Sequence, residues 1–289
     1  MRLIFPVPAD GRPGARNGLG GVLGSADPFR PSAADQPAAA PAVADLARLY
    51  AYPDSDPPRP WLRANMITSV DGAVSVNGRS GGLAGPADRL LFTVLRSLAD
   101  VILVGAGTVR AEHYGQAKLS DAWPQLRAGR PATPPIAVLT RQLDLDLDGR
   151  LLPGRDDLAA TIVLTTLAAP AQRRADVARF ATVIVAGETE VTAVAAVAAL
   201  ADLGYRRILT EGGPTLLSQL TAAGLLDELC LTIAPVLEGG QAARIMATPP
   251  RTGQTASAAP TAPDLTGLTL VSLIEDDGSL LCLYRRVAR

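Results

Sequence analysis

The chain has 289 residues, and 48% of them are hydrophobic, so it can form one large or two ordinary domains around a sizeable buried core. The formal net charge of −1 argues against broad binding to nucleic acid or anionic membranes, because both need a basic surface. No apolar run has the length of a membrane helix, and the start, M-R-L-I-F-P, lacks the apolar stretch of a secretory signal, so we expect a cytoplasmic protein.

The first part of the chain, residues 1–58, is predicted to be a largely irregular leader. Residues 8–42 are rich in Ala, Pro, Gly and Asp and show little periodic apolar pattern. A short helix is predicted at residues 45–52, where apolar side chains share one face, and a proline-rich linker follows at 53–60. One folded domain is therefore expected to occupy residues 59–289.

Short strands and helices alternate after the leader. Strands are predicted at residues 61–67, 101–104, 136–139, 161–164, 182–185 and 207–209. Helical spacing of apolar residues predicts helices at 86–98, 168–180, 191–203 and 214–222. The short all-apolar runs among the strands are typical of central parallel strands that are covered on both faces.

The C-terminal part of the chain changes character. Strands are predicted at residues 227–234, 266–274 and 279–286, and Asp276-Asp277-Gly278 indicates a hairpin between the last two. The whole pattern predicts an α/β protein with a mainly parallel central sheet, flanking helices and antiparallel C-terminal strands.

The cysteines and the histidine favour no metal site. Cys230 and Cys282 lie in alternating apolar runs and are predicted to be buried thiols, without a disulfide or a metal. His113 is the only histidine and is expected at the surface or behind the site. The H-x-E and P-C-x-x-C pattern of zinc deaminases is absent.

Residues 210–215 read T-E-G-G-P-T and join a predicted strand directly to a helix. Gly212 and Gly213 indicate a backbone geometry that other residues could not adopt, and Pro214 suits the first helical position. Glu211 ends an apolar strand, where a buried carboxylate needs a partner. A tight turn alone would explain the glycines, but a ligand phosphate lying against them is the sharper hypothesis.

Two other strand ends carry similar signals. Gly105 and Gly107 would let a ligand approach the backbone, and Thr108 can cap or begin the next helix. Arg110 stands where a dinucleotide fingerprint has its third glycine, so an ordinary turn is also possible. Arg141 follows a strand and is either a solvated charge or a phosphate clamp. Because ligands bind outside the carboxyl ends of strands in open α/β sheets, the three ends together predict a phosphate-rich cofactor.

Short motifs follow one another in a fixed order over roughly residues 60–287. They are N-M-I-T-S-V-D-G at 65–72, the segment 80–88, L-R at 95–96, D-V-I-L-V-G-A-G-T-V-R-A-E at 100–112, E-G-G-P-T-L at 211–216, and D-E at 227–228 with A-P at 234–235. This ordered set resembles the riboflavin-biosynthesis pyrimidine reductases. The resemblance implies a dihydrofolate-reductase-like fold, NADPH as the cofactor, a homodimer, and no fused deaminase domain.

The resemblance also implies roles for individual residues. Cofactor contacts would come from Gly105, Gly107, Thr108, Glu112, Thr140, Arg141, Gln142, Glu211, Gly212, Gly213, Pro214 and Thr215. Within this set, residues 140–142 would meet the adenosine 2′-phosphate and residues 212–215 the pyrophosphate, and the peptide between such paired glycines is often cis in dihydrofolate reductases. Substrate contacts would come from Asn65, Ser80, Arg96 and Glu211.

The implied reaction transfers hydride from the nicotinamide C4 to C1′ of 5-amino-6-(5-phosphoribosylamino)uracil and opens the sugar to a ribitylamine. Asp71, Glu211 or a bound water would supply the proton, and Asp71 and Glu211 are therefore the candidate catalytic residues. Asp71 precedes Gly72 and is alternatively a turn former. Asp88, near the start of a helix, is interpreted as a partner of the helix dipole.

The substrate side departs from the family pattern more than the cofactor side does. The family usually has Lys at Asn65, Trp at Gly82 and Thr at Ala84, and Lys118 would replace an arginine that meets the substrate phosphate together with Arg96. Two alternatives therefore stay open. One is a reductase of the same fold acting on another small molecule, with the pterin dihydrofolate as leading candidate and Asp71 or Glu211 as its carboxylate. The other is a non-catalytic NADPH-binding protein without open space beside the nicotinamide.

Overall fold

The computed structural model describes residues 1–6, 43–53, 59–119, 124–127, 129–152, 161–247 and 265–287. The predicted irregular segment 8–42 and most of the predicted linker lie outside these residues. The strands are β1 Arg2–Pro6, β2 Trp61–Ser69, β3 Val101–Gly105, β4 Ile136–Leu139, β5 Ile162–Thr165, β6 Thr182–Val185, β7 Arg207–Thr210, β8 Glu228–Ala234, β9 Leu268–Asp276 and β10 Ser279–Arg286.

The helices flank the sheet formed by these strands. They are α1 Val43–Leu49, α2 Pro86–Leu98, α3 Ala106–Ala111, α4 Ala171–Ala178, α5 Ala193–Asp202 and α6 Pro214–Ala222, and short 3-10 turns lie at Ser80–Gly82 and Pro124–Arg127. In the described ranges, every helix is too short or too polar to cross a bilayer.

The described strands form one sheet in the order β1-β9-β10-β8-β2-β7-β3-β4-β5-β6. Pairing is parallel from β8 through β2 and β7 to β6, and antiparallel among β8, β10, β9 and β1. This confirms the predicted mainly parallel sheet with antiparallel C-terminal strands. The side chains of Val101–Val104 are fully buried because helices cover both faces of the central strands.

The hairpin between β9 and β10 has the turn that its sequence demands. Asp277 and Gly278 both have positive φ, 48° and 78°, as the two central residues of a type I′ turn require.

Cys230 and Cys282, on β8 and β10, are buried free thiols, as predicted. Burial raises the pKa of Cys230 to about 12, so this thiol is inert at neutral pH.

The N-terminal part of the chain contributes more to the fold than the sequence predicts. Strand β1 pairs antiparallel with β9, an edge contact that no local pattern indicated. Helix α1 covers residues 43–49 where a helix at 45–52 was predicted, and it buries Leu46 and Tyr50 completely. The division of the chain at residue 58 stays a prediction, and the burial of these two side chains argues against independent folding of α1.

Arg63 fastens the segment after α1 to the sheet. Its buried guanidinium donates to Glu228 Oε2 from Nε at 2.9 Å and Nη2 at 2.6 Å, and from Nη1 to the Tyr50 carbonyl at 2.6 Å. The ring of Tyr52 stacks on it at 4.2 Å. Arg285 Nη2 reaches Glu228 Oε1 at 2.9 Å. Although burial opposes ionisation, Arg63 and Arg285 hold the pKa of Glu228 below its usual value.

Removing Arg63 is expected to destabilise the protein far more than removing its exposed counterpart. Arg63→Ala leaves Glu228 and the Tyr50 carbonyl buried with fewer donors, which costs about 3–5 kcal/mol for a broken buried pair. Arg285→Ala removes a half-exposed partner of the same carboxylate and should cost about 0–1 kcal/mol. Urea unfolding of both variants measures the difference, and similar losses would contradict the assignment of Arg63 as the anchor.

Candidate active site

A cleft of about 680 Å³ opens at the carboxyl ends of β2, β3 and β7. The register of these parallel strands brings three of the predicted positions together, because Thr210 lies opposite both Ala64 and Leu103. Asn65 and Glu211, one residue farther along their strands, and Gly105, two residues farther along β3, therefore line one cleft. The first turns of α2, α3 and α6 and the loop at residues 74–84 form its walls.

Two glycine turns lie against each other at the base of the cleft. The Gly105 N–H donates to the Gly212 carbonyl at 2.9 Å, and the peptide between Gly212 and Gly213 is cis, as the resemblance implies. Gly212 has a φ of +79°, and a Cβ on Gly213 would stand 2.5 Å from Thr108 Oγ1. Both glycines are therefore required by the backbone packing itself, and the turns present their backbone to the cleft.

Helices α3 and α6 begin directly at these turns. Gly105 and Gly213 are their N-terminal cap residues, and Pro214 occupies the first position of α6, as predicted. Thr108 lies inside α3 rather than capping it, and its hydroxyl instead faces Gly213. The unpaired N–H groups of the α6 first turn, with the helix dipole, make this corner suitable for a phosphate group.

Glu211 has the buried partner that its position at a strand end demands. Arg96 on α2 donates to it through Nε at 2.7 Å and Nη2 at 2.8 Å, and Tyr114 donates its hydroxyl to Oε2 at 2.6 Å. The guanidinium also stacks on the Phe92 ring at 4.1 Å. Burial opposes the charge of Arg96, but the Glu211 carboxylate raises its pKa above the usual value. Arg96 is therefore charged, and it is engaged with Glu211 rather than free for a substrate phosphate.

Tyr114 is a site residue that the sequence analysis missed. Its position depends on a Schellman motif at the end of α3, with bonds from His113 N–H to the Arg110 carbonyl and from Tyr114 N–H to the Val109 carbonyl. His113 adopts a φ of 51° there, an uncommon conformation that turns Tyr114 back into the protein. Burial, and then Glu211, raise the pKa of Tyr114 well above its usual value, so the hydroxyl stays protonated and donates.

Glu112 joins the cofactor-side helix to the substrate-side loop. Its Oε1 accepts the backbone N–H of Ser80 at 2.7 Å, and both residues line the cleft. Asn65 and Ala84 line it as well. Gly82 and Lys118 are exposed and are not among the described residues that line it.

Asp71 lies apart from the cleft lining that the structure describes. Its carboxylate accepts from the Ser69 hydroxyl and from the backbone N–H groups of Glu238 and Gly239. These bonds, Ser69 first, lower the pKa of Asp71 to about 2, so it is an anion near neutral pH and a poor proton donor. The structure gives Asp71 the turn-forming role that was the alternative prediction.

Asp88 instead provides a carboxyl inside the cleft. It is the third residue of α2, which begins at Pro86, and it lines the same cleft as the glycine turns. Burial raises the pKa of Asp88, against smaller opposing effects of Thr232 and Arg89. The start of α2 is the feature of the sequence that could have located Asp88 in the site, because the first turn of this helix lines the cleft.

The predicted contacts for an adenosine phosphate lie farther along the same sheet edge. Thr140 follows β4, is buried, and accepts the Leu143 N–H at 3.0 Å through Oγ1. Arg141 and Gln142 are exposed. None of the three is among the described residues that line the cleft, so they could meet only a ligand that extends beyond it.

Comparison with known proteins gives one consistent family. Residues 60–272 match the RibD C-terminal domain. The chain is 31% identical over 189 residues to the 2,5-diamino-6-ribosylamino-4(3H)-pyrimidinone 5′-phosphate reductase of Archaeoglobus fulgidus. The match covers 63% of this chain and 84% of the relative.

Solved structures agree with this match. A pyrimidine reductase-like protein from Corynebacterium diphtheriae superposes with a TM-score of 0.70 at 28% identity, over 84% of this chain and 99% of the other. The riboflavin biosynthesis reductase Rib7 of yeast superposes with a TM-score of 0.55 at 17% identity, over 81% and 93%. These neighbours confirm the predicted dihydrofolate-reductase-like fold.

The Tyr114 hydroxyl is expected to stabilise the folded protein measurably. Tyr114→Phe removes a hydrogen bond to a buried carboxylate, which costs about 1.5–3 kcal/mol for a charged partner. Tyr52→Phe is a matched control, because the buried Tyr52 hydroxyl has no hydrogen-bond partner among the described residues and its removal should be nearly neutral. Urea unfolding compares the two, and an equal effect would mean that Tyr114 contributes only its ring.

Proposed function

The chain belongs to the RibD C-terminal domain family, the pyrimidine reductases of riboflavin biosynthesis, and we propose that it uses NADPH to reduce a ribosylamino-pyrimidine 5′-phosphate at C1′. The observation that carries this proposal is the pair of glycine turns packed at the ends of β3 and β7, each opening a helix beside an open cleft. The open cleft argues against a purely binding role, which would need no space beside the nicotinamide.

The cofactor half of the proposed site is built from backbone. We assign the pyrophosphate to the first turn of α6 at Gly213, Pro214 and Thr215, where unpaired N–H groups and the helix dipole favour an anion. Gly105 and Gly107 leave room for its approach on the side of α3. Exposed Arg141, with Thr140 and Gln142, is assigned to the adenosine 2′-phosphate, since a guanidinium pairs with phosphate through two N–H groups.

NADPH, when bound, supplies the hydride, and the residues of the chain supply position and electrostatics. Glu211, fixed by Arg96 and Tyr114, offers its remaining acceptor capacity to N–H groups of the substrate. Ser80 and Asn65 line the same cleft. Because Glu211 is ion-paired and Asp71 lies outside the described lining, we assign the proton to a bound water.

The self-association expected from the resemblance has a candidate surface. Val70, Val236 and Leu237 are exposed, with Leu237 at 75% of its free surface, and their two loops are joined by a bond from the Val70 N–H to the Val236 carbonyl at 2.9 Å. Adjacent exposed apolar side chains are typical of an interaction site. We propose that this surface contributes to a homodimer.

A second candidate reaction, the reduction of dihydrofolate, is favoured by one observation. Arg96 is engaged with Glu211 and is not among the described residues that line the cleft, where Arg89 is the one basic side chain. Arg89 already donates to the Ala84 carbonyl at 2.7 Å. A sugar phosphate would depend on this one arginine, whereas a pterin ring needs no cation at that place.

The proposal is tested by titrating the purified protein with NADPH and then assaying two acceptors, the ribosylamino-pyrimidine phosphate and dihydrofolate. We expect NADPH binding and NADPH oxidation that requires the pyrimidine. Turnover of dihydrofolate alone would establish the second candidate, and binding without either turnover would support a binding protein. No NADPH binding would overturn the assignment of the glycine turns.

The glycine turns themselves can be tested with a double-mutant cycle. Gly213→Ala places a Cβ against Thr108 Oγ1, so the turn must shift and we expect at least about a 10-fold loss of NADPH affinity. Thr108→Ala removes the obstructing hydroxyl. The double variant Thr108→Ala/Gly213→Ala should therefore bind NADPH almost as tightly as Thr108→Ala alone. Calorimetry gives the dissociation constants, and strictly additive losses would show that the contact is not the cause.

A further inference from the structure

Three carboxyl groups line the cleft among the described residues, and two of them are already engaged. Glu211 accepts from Arg96 and Tyr114, and Glu112 accepts the Ser80 N–H. Asp88 is left without a comparable partner, because the Thr232 hydroxyl approaches it but forms no hydrogen bond of normal geometry.

Asp88 sits where a ligand could complete its hydrogen bonding. It is partly buried at the start of α2, and Thr232 lies nearby on β8 with a buried hydroxyl that has no hydrogen-bond partner within the described part of the chain. Burial raises the pKa of Asp88, against smaller opposing effects of the nearby Thr232 hydroxyl and of Arg89, in keeping with its place in the cleft wall. A carboxyl in this state is best satisfied by N–H groups of the molecule that enters the cleft.

A carboxylate prefers two parallel N–H donors. A 2-amino-4-oxopyrimidine offers such a pair, because its ring N3–H and its 2-amino N–H point in the same direction. A uracil ring offers a single N3–H between two carbonyl oxygens, and one of these oxygens would face the carboxylate. A protein site that accepts hydrogen bonds from ligand N–H groups binds an analogue without those groups far more weakly, because the buried acceptor is then left unpaired.

We propose that Asp88 binds the 2-amino edge of the substrate ring, so that the cleft selects a 2-amino-4-oxopyrimidine over the corresponding uracil. This inference rests on the proposed function and refines its substrate. It differs from the uracil ring that the sequence resemblance implies, and it agrees with the diamino ring for which the Archaeoglobus relative is named. Dihydrofolate carries the same edge, so the inference holds for either acceptor.

The first experiment measures binding without turnover. Calorimetry of the NADPH-saturated full chain compares 2,5,6-triaminopyrimidin-4-one with 5,6-diaminouracil, two rings that differ only in the edge at position 2. We expect the triamino ring to bind about 10- to 100-fold more tightly. Equal binding, or tighter binding of the uracil, would overturn the inference even if the protein proves to be a reductase.

The second experiment changes the carboxyl. Asp88→Asn presents one donor and one acceptor, so the preference for the triamino ring should fall to within about 3-fold of unity, while NADPH affinity stays unchanged. Asp202→Asn, at the exposed end of α5, is the matched control and should keep the wild-type ratio. An unchanged ratio in Asp88→Asn would exclude Asp88 as the residue that reads the edge.

Turnover separates this inference from the proposed reaction. With the two ribosylamino 5′-phosphates as substrates, the ratio of kcat/KM should follow the binding ratio and collapse in Asp88→Asn. If neither substrate is reduced but the binding preference and its loss are seen, the proposed reaction fails and the role of Asp88 stands. If both rings are reduced equally, the reaction stands and the role of Asp88 fails.

Discussion

The contact between two backbone turns at the ends of β3 and β7 determines the rest of the site. Neighbouring parallel strands lie about 4.8 Å apart, so the chains that leave them meet unless one lacks side chains. Gly105 donates to the Gly212 carbonyl, and the side of Gly213 is filled by Thr108. Because this packing starts α3 and α6 side by side, both helices direct their first turns into one cleft.

A second constraint is the charge of Glu211 at the end of β7. Arg96 from α2 and Tyr114 from the turn after α3 satisfy it, so a single carboxylate joins three parts of the chain around the cleft. Replacing a buried ion pair by apolar residues is often neutral or even stabilising, so stability alone does not explain its presence. Its effect is geometric, since it fixes one wall of the cleft and withdraws Arg96 from the substrate.

The sequence predicted the parts of the protein that depend on local patterns. All-apolar runs identified β3, β4 and β5, the Asp-Gly turn identified the last hairpin, and G-G-P placed the start of α6. Strand β1 was missed because its pairing with β9 joins the two ends of the chain. Tyr114 was missed because its direction depends on the left-handed conformation of His113, which no side-chain pattern encodes. The dipole interpretation of Asp88 agrees with its helix position but omitted the cleft that this first turn faces.

The two halves of the site differ in how they can change. The proposed cofactor half consists of backbone groups that only glycines leave open to a ligand. A larger residue in place of one of these glycines displaces a turn, so few substitutions are tolerated there. The substrate half consists of side chains, and it includes Asn65 and Ala84, two positions at which the sequence resemblance implies a departure from the family pattern. It also engages Arg96 internally and places Asp88 in the cleft. These features depend on side chains rather than on the path of the backbone. Family membership therefore constrains the backbone around the glycine turns more strongly than it constrains the side chains that would meet a substrate ring.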